Sequence, residues 1–396
     1  MNALQDRIKA LAKTYFNDTV LLRRHLHEYP ELSQEEYNTM AFVSKELSKL
    51  NIPHKTGIGK TGILGIIEGK NPDKSCIALR ADYDALPMEE NTGLPFASKN
   101  KGIMHACGHD MHTASLLGAA RILNELKDEF EGRILLIFQP SEEKYPGGAY
   151  LMMQDGIFNE YKPDSIYAFH CLPEMEYGKV GMKSGKYMAS TDEIYLTVKG
   201  KGGHGGTPDL NIDPVVIASH IVVALQQIVS RNASPMMPTI LSIGKMIANG
   251  RTNIIPDEVK MEGTIRTFSN EWRTDAHQHI EKISKGVAQS MGGDCEVFID
   301  KGYPFLVNDE QITQMVKDNA VSYLGNENVV DLEMRMTAED FAFFAQEIPA
   351  CYFRVGTRKP NTEITNLHTV KFDIDERSIE LAMGFMAFNA LRGLAR

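Results

Sequence analysis

Along the first 180 residues, short aliphatic and β-branched runs alternate with stretches whose apolar positions recur every three or four residues. Residues 62–68, 76–79, 133–138 and 165–169 are near-continuous apolar runs bounded by turn-forming residues, the pattern of strands buried on both faces. Residues 35–50, 111–126 and 378–394 carry the helical period. Residues 1–20 place Asp6, Arg7, Lys9 and Lys13 among their apolar positions, so they predict an amphipathic first helix rather than a signal peptide. Strands alternating with helices predict an open α/β sheet covered on both faces. In such folds ligands collect beyond the carboxyl ends of the strands.

From about residue 181 to 304 the texture changes. Strand-like residues 192–198, 239–245 and 258–268 are interleaved with helical residues 214–230 and 272–291. This order predicts a smaller α+β domain inserted into the first, with a catalytic domain of residues 1–180 and 305–396 around an insert of residues 181–304. An exposed edge strand of the insert would offer a surface for pairing two chains.

Composition narrows the function. The 396 residues exceed the size at which one core stops growing, and 43% hydrophobic with 24% charged residues is ordinary for a soluble globular protein. With 42 basic against 52 acidic residues the net charge is −10, and no Lys/Arg-rich run could neutralise a phosphate backbone, so nucleic acid is not an expected partner. No apolar run near the roughly 20 residues of a membrane span stands out, so no membrane partner and a cytoplasmic location are expected. Five widely spaced cysteines, without a Cys-x-x-Cys pair, do not suggest a disulfide framework.

Three predicted strands end in residues that bind metals: Ile77-Ala-Leu-Arg-Ala-Asp82, Ile134-Leu-Leu-Ile-Phe-Gln-Pro-Ser-Glu-Glu143 and Ile166-Tyr-Ala-Phe-His170. On one parallel sheet these ends share a rim and converge. Between them lies the densest cluster, His105-Ala-Cys107-Gly-His109-Asp110-Met-His112, and a loop histidine follows at Asn366-Leu-His368. Thiolate, imidazole and carboxylate together suit zinc and its neighbours better than magnesium or calcium. The candidate ligands are Cys107, His109, Glu143, His170 and His368. Glu142 and Glu143, read as an extended pair, would point in different directions, so that one holds metal and the other serves a metal-activated water as general base.

These motifs, with Arg24-His-Leu-His27-Glu-Tyr-Pro-Glu-Leu-Ser33, Leu79-Arg-Ala-Asp82-Tyr-Asp-Ala-Leu-Pro87 and Gly263-Thr-Ile-Arg266, resemble the aminoacylase, hippurate hydrolase and indoleacetyl-amino-acid hydrolase group of metallopeptidase-like amidohydrolases. The resemblance covers nearly the whole chain. It implies a zinc-peptidase-like catalytic domain with an open mixed sheet and an inserted ferredoxin-like lid or dimerisation domain. It further implies that Glu142 is the general base and that Cys107, His109, Glu143, His170 and His368 bind two divalent ions per subunit, zinc or manganese before cobalt or nickel. Asp82 matches a second catalytic carboxylate, and His204 in Gly202-Gly-His-Gly-Gly-Thr-Pro208 matches an oxyanion-stabilising histidine that often reaches across a dimer. Asn253 and Arg266 match groups that hold the substrate's polar end. Asp209 departs from the family, many relatives having a histidine there. The implied reaction is hydrolysis of the amide bond of a small N-acyl amino acid, by a homodimer or higher homo-oligomer formed through the insert.

Other readings are weaker. Dipeptidase or carboxypeptidase action would use the same water chemistry, and Glu142 argues against a non-catalytic metal-bound binding protein, since a closed structural zinc site needs no spare carboxylate. Gly200-Lys-Gly-Gly-His-Gly205 formally matches a dinucleotide fingerprint, but no acid follows at the required distance. His25, His27 and His112 fit the family pattern without an assignable role.

Overall fold

A computed structural model describes residues 2–395; Met1 and Arg396, the outer limits of the expected catalytic domain, lie outside the described residues. The chain forms two compact units, one of residues 1–185, 307–333 and 340–396, the other of residues 186–306 and 334–339.

The first unit is built on an eight-stranded mixed sheet. Its centre is parallel: Cys76–Asp82 pairs with Arg133–Gln139 on one side and Ser165–Glu176 on the other, and Ala350–Arg358 continues the parallel order. The strand at 350–358 carries no expectation from sequence, because Arg354 interrupts its apolar run; in the fold that arginine is buried. Gly62–Glu68 and His54–Ile58 extend one edge in antiparallel sense. The central strands are buried on both faces, which is why they read as continuous apolar runs rather than alternating ones.

Helix Asn2–Glu28 packs on helices His109–Glu125 and Arg377–Leu394, which pack on this sheet and on each other. The first is longer than its pattern predicts. Met111, Leu116, Leu117, Ile122 and Leu123 of the middle helix are at most 2% exposed, and each such side chain contributes about 1.5–3 kcal/mol by leaving water. That burial anchors a helix whose first residue is His109.

The second unit runs strand, helix, strand, strand, helix, strand. Its four-stranded antiparallel sheet has the order Ile240–Ala248, Glu258–Arg266, Asp192–Lys199, Asp294–Lys301, the split order of ferredoxin-like folds. Ile194, Leu196 and Val198 face Ile217, Ile221 and Leu225 of helix Pro214–Gln227 and Ile280 of helix Asn270–Ser290. The stretch Pro214–Asn232 is long and apolar enough to cross a membrane, contrary to the sequence expectation. Ile217, Ile221, Leu225 and Ile228 of this stretch belong to the core, while Val216 and Val223 are exposed.

Candidate metal centre

The centre draws on one strand end at Asp82, on His170 in the middle of strand Ser165–Glu176 where the sequence predicts a strand end, on one helix start and on two loops of the first unit. Asp82 closes its strand opposite Gln139, and His170 sits in its strand opposite Arg354. Cys107 and His109 flank Gly108, which caps the helix at φ +84. A Cβ at Gly108 would stand 2.5 Å from Cys171 Sγ, so both the left-handed turn and the close approach require glycine there. His368 enters from the turn after Asn366, its backbone N–H donating to Ala106 O at 2.8 Å.

Two sets of donors overlap at one sulfur. Cys107, His109 and His170 present ligand atoms within 4.8 Å of one another, and so do Cys107, Glu143 and His368. Cys107 Sγ lies 3.3 Å from Nε2 of both His170 and His368. Glu142 joins His109 and Glu143 in a third such set.

The sequence predicts two extended neighbouring glutamates pointing apart; the structure corrects this. They lie in a turn after Ser141, a residue at φ +52, and both carboxylates reach the same imidazole.

The hydrogen bonds fix which nitrogens face inward. His109 Nδ1 donates to the backbone oxygen of Asp84 at 2.9 Å and lies 3.2 Å from its Oδ1, and His170 Nδ1 donates to Cys171 O at 2.8 Å. Each Nε2 therefore faces the cluster. His109 Nε2 and Glu143 Oε1 are buried with no hydrogen-bond partner among the described residues, although Glu143 Oε1 sits 3.1 Å from His368 Nε2. Buried polar atoms are rarely left so. Sulfur, nitrogen and oxygen atoms set this close fit divalent cations that displace their protons.

His112 also stands in this neighbourhood, but both its nitrogens are committed. Nδ1 binds Asp82 Oδ1 at 2.6 Å, and Nε2 accepts the Cys171 N–H at 3.0 Å. Its role is to hold Asp82. Arg80 holds the other oxygen at 2.6 Å and reaches Gln139 and Asp340. Burial alone would raise Asp82, yet Arg80 and the imidazoles of His109 and His112 keep it well below the usual carboxylate range.

Burial pushes the Cys107 thiol well up, with Glu143 adding to it. Burial favours neutral His109, but Asp82, Asp84 and Glu143 outweigh it and raise that imidazole to about 10. Burial, helped by Arg354, drives His170 well down.

Of the remaining histidines, buried His27 bridges Asp110 at 2.8 Å and Glu90 at 3.2 Å, while His25 packs its ring 4.1 Å from that of Phe42. Asp84, Ser33 and Glu36, which carry no site expectation from sequence, turn out to bind the backbone or the side chains of this centre.

The other candidate residues lie in the second unit. His204, in the two-residue strand Gly203–His204, pairs with Ile254, next to Asn253. Its Nδ1 accepts the Gly206 N–H at 2.9 Å, which leaves Nε2 as a donor. Arg266 is at the far end of Glu258–Arg266, with Nη1 3.4 Å from Met336 O. At about 3.3 Å per residue the nine-residue strand separates its ends by roughly 26 Å, so Arg266 and Asn253 of one chain do not meet. The Gly200–Gly205 run turns into a strand, and the next α-helix begins only at Pro214, so it lacks the helix start of a dinucleotide site.

A mixed α/β sheet whose rim gathers thiol, imidazole and carboxylate donors beside a second glutamate defines a metal-dependent hydrolase. Residues 78–390 match peptidase family M20/M25/M40, and the chain belongs to that family. It is 42% identical over 371 residues to an N-acetyl-L-cysteine deacetylase of Bacillus subtilis, covering 94% of this chain and 87% of the relative. It is 41% identical over 367 residues to thermostable carboxypeptidase 1 of Saccharolobus solfataricus, covering 91% and 92%. A crystal structure of a dinuclear metal-binding M20 peptidase from Bacillus subtilis superimposes with TM-score 0.82 at 34% identity, covering 96% of this chain and 98% of that one.

Proposed function

We propose that this enzyme hydrolyses the amide bond of small N-acyl amino acids. The observation that carries the reading is the pair of donor sets sharing Cys107, with Glu142 in reach of both His109 and Glu143. Cys107, His109 and His170 would hold one ion and Cys107, Glu143 and His368 the other, with zinc or manganese the first metals to test and cobalt or nickel next. Two such ions supply Lewis acidity to the scissile carbonyl and acidify a water.

The protein's own residues do the rest. Glu142 takes the proton of the attacking water and returns it to the departing amine. Asp82, held by Arg80 and His112, keeps a fixed negative charge 3.8 Å from His109 Nε2. His204, whose Nε2 is a donor, stabilises charge on the carbonyl oxygen, a contribution of about 10²- to 10³-fold in kcat. Arg266 grips the substrate's α-carboxylate through two parallel hydrogen bonds.

The separation along Glu258–Arg266 bears on assembly: one substrate cannot take Arg266, His204 and Asn253 from the same strand ends of a single chain. We therefore assign the protein a homodimer, with His204 and Asn253 serving the centre of a second copy. Ile240, Met246 and Ile247, exposed on the edge strand Ile240–Ala248, support pairing there. The insert is then both lid and dimerisation domain. A cytoplasmic location suits a centre that depends on a reduced Cys107.

The carboxypeptidase likeness favours a second reading, cleavage of a peptide's C-terminal residue, which shares the free carboxylate. Both are tested by comparing zinc- or manganese-loaded enzyme on N-acetyl amino acids, their primary amides and dipeptides. The expected order is N-acetyl amino acid first, with the acid preferred to its amide about ten- to hundredfold in kcat/KM. Faster turnover of dipeptides would establish the second reading. Equal rates on acid and amide would remove carboxylate recognition.

A further inference from the structure

We propose that residues 30–36 form a positioning clamp for the loop that carries Glu142 and Glu143, acting through Glu36 on one arm and through Ser33 and Asp84 on the other. Residues 30–33 belong to a motif with no assigned role, and Glu36 lies more than a hundred residues from the Ser141 it touches.

Glu36 is fully buried. One carboxylate oxygen accepts the Ser141 N–H at 2.9 Å and the other accepts the Thr61 hydroxyl at 2.7 Å. Among the described residues none of its hydrogen-bond partners is a cation. Burying a carboxylate without one is costly, and an apolar side chain would fill the space without that cost. What the carboxylate does here is grip the backbone of Ser141, whose φ of +52 lies in the left-handed region that serine rarely adopts. That conformation turns the chain so that the next two side chains enter the centre.

Asp84 is 1% exposed and serves three groups at once. Its Oδ2 accepts the Ser33 hydroxyl at 2.6 Å and the Glu143 N–H at 2.9 Å. Its backbone oxygen, with Oδ1 at 3.2 Å, receives His109 Nδ1. One aspartate therefore sets both the backbone of Glu143 and the ring orientation of His109, and Ser33 fixes the aspartate. The two arms have separable effects: the Asp84 arm orients groups that bind metal, whereas the Glu36 arm shapes the turn from which Glu142 projects.

The clamp rests on the ligand and base assignments made above, and the experiment separates the two. Zinc affinity is measured by competition with a chelator, and kcat and KM on an N-acetyl amino acid, for Glu143→Gln, Asp84→Asn, Glu36→Ala and Glu36→Gln. In Asp84→Asn either orientation of the amide sets a donor against a donor, so zinc affinity should fall about 10- to 100-fold. Glu36→Ala should keep its zinc and lose about 10- to 100-fold in kcat at unchanged KM. Glu36→Gln still offers an acceptor to Ser141 and can donate to Thr61, and should restore kcat. The clamp is overturned by wild-type zinc affinity in Asp84→Asn, by wild-type kcat in Glu36→Ala, or by Glu36→Gln being as slow as Glu36→Ala. Should Glu36→Ala not fold, Glu36→Met, which keeps the volume without the acceptor, takes its place; failure of both to fold makes Glu36 a residue of the fold and overturns its positioning role. If Glu143→Gln also binds zinc normally, the ligand assignment itself fails.

Discussion

At the scale of single residues, the centre is a problem of protons and lone pairs. Nδ1 of His109 and of His170 is spent on an oxygen acceptor, so each presents Nε2, and Cys107 stands between the nitrogens as a thiol that burial protects from ionising. Metal must displace protons from Cys107 and from His109, which is raised to about 10. Zinc affinity should therefore climb as pH rises from 7 toward 10, by about tenfold per pH unit for each proton displaced. Calorimetry in buffers of different ionisation enthalpy checks this, and binding without proton release would contradict it. The same shift has a sign for stability: without metal, protonated His109 contributes stability that is full below its ordinary value of 6.5 and is lost as pH rises through about 10. The grouping of Cys107, His109, Glu142, Glu143, His170 and His368 was legible because metal-binding residue types stand out against apolar runs and in a dense motif. Asp84, Ser33 and Glu36 were not, because their importance lies in backbone N–H groups distant in sequence, which leave no trace in composition or period.

At the scale of elements, the strands buried on both faces announced themselves, and the turn between Arg133–Gln139 and helix Gly148–Gln154 did not. This turn decides where two carboxylates go, and it is tight. A Cβ at Gly148 would lie 1.7 Å from the Pro140 carbonyl oxygen, while Asp340 holds the Ala149 N–H at 3.0 Å. Gly148→Ala should push the turn outward, costing about 1–3 kcal/mol of stability and lowering both zinc retention and kcat. A denaturation midpoint and zinc content equal to wild type would show that the turn gives way freely. The helix His109–Glu125 is braced from its first turn: Asp110 takes Arg23 at 2.6 Å and His27 at 2.8 Å, both from the end of helix Asn2–Glu28. This explains a family histidine that sequence could not interpret. Strand Asp294–Lys301 is not announced by the sequence, because its exposed positions mix charged residues with Phe298 and only Cys295, Val297 and Ile299 alternate inward.

At the scale of the whole molecule, the family and the mixed sheet follow from motifs spread over nearly the full chain, whereas the assembly does not. Register shows what pattern could not: Asn253 lies just before one end of Glu258–Arg266 and Arg266 lies at the other. The proposed dimer makes Glu142→Gln and His204→Ala complementary, because in a mixed dimer both lesions fall on one centre and leave the other intact. Mixing the two inactive variants under subunit exchange should recover activity up to about a quarter of wild type, the share of intact centres expected from random pairing. No recovery, with exchange demonstrated, would place His204 in its own chain's mechanism or outside it. The most direct test of the central claim is a metal titration of chelated protein, with turnover of an N-acetyl amino acid followed at each addition. The account predicts no activity without metal, recovery completed at two equivalents per chain, and a Glu142→Gln variant that binds the same two equivalents yet stays about 10²- to 10⁴-fold slower. Full turnover in the chelated protein, or a Glu142→Gln variant as fast as wild type, would contradict it.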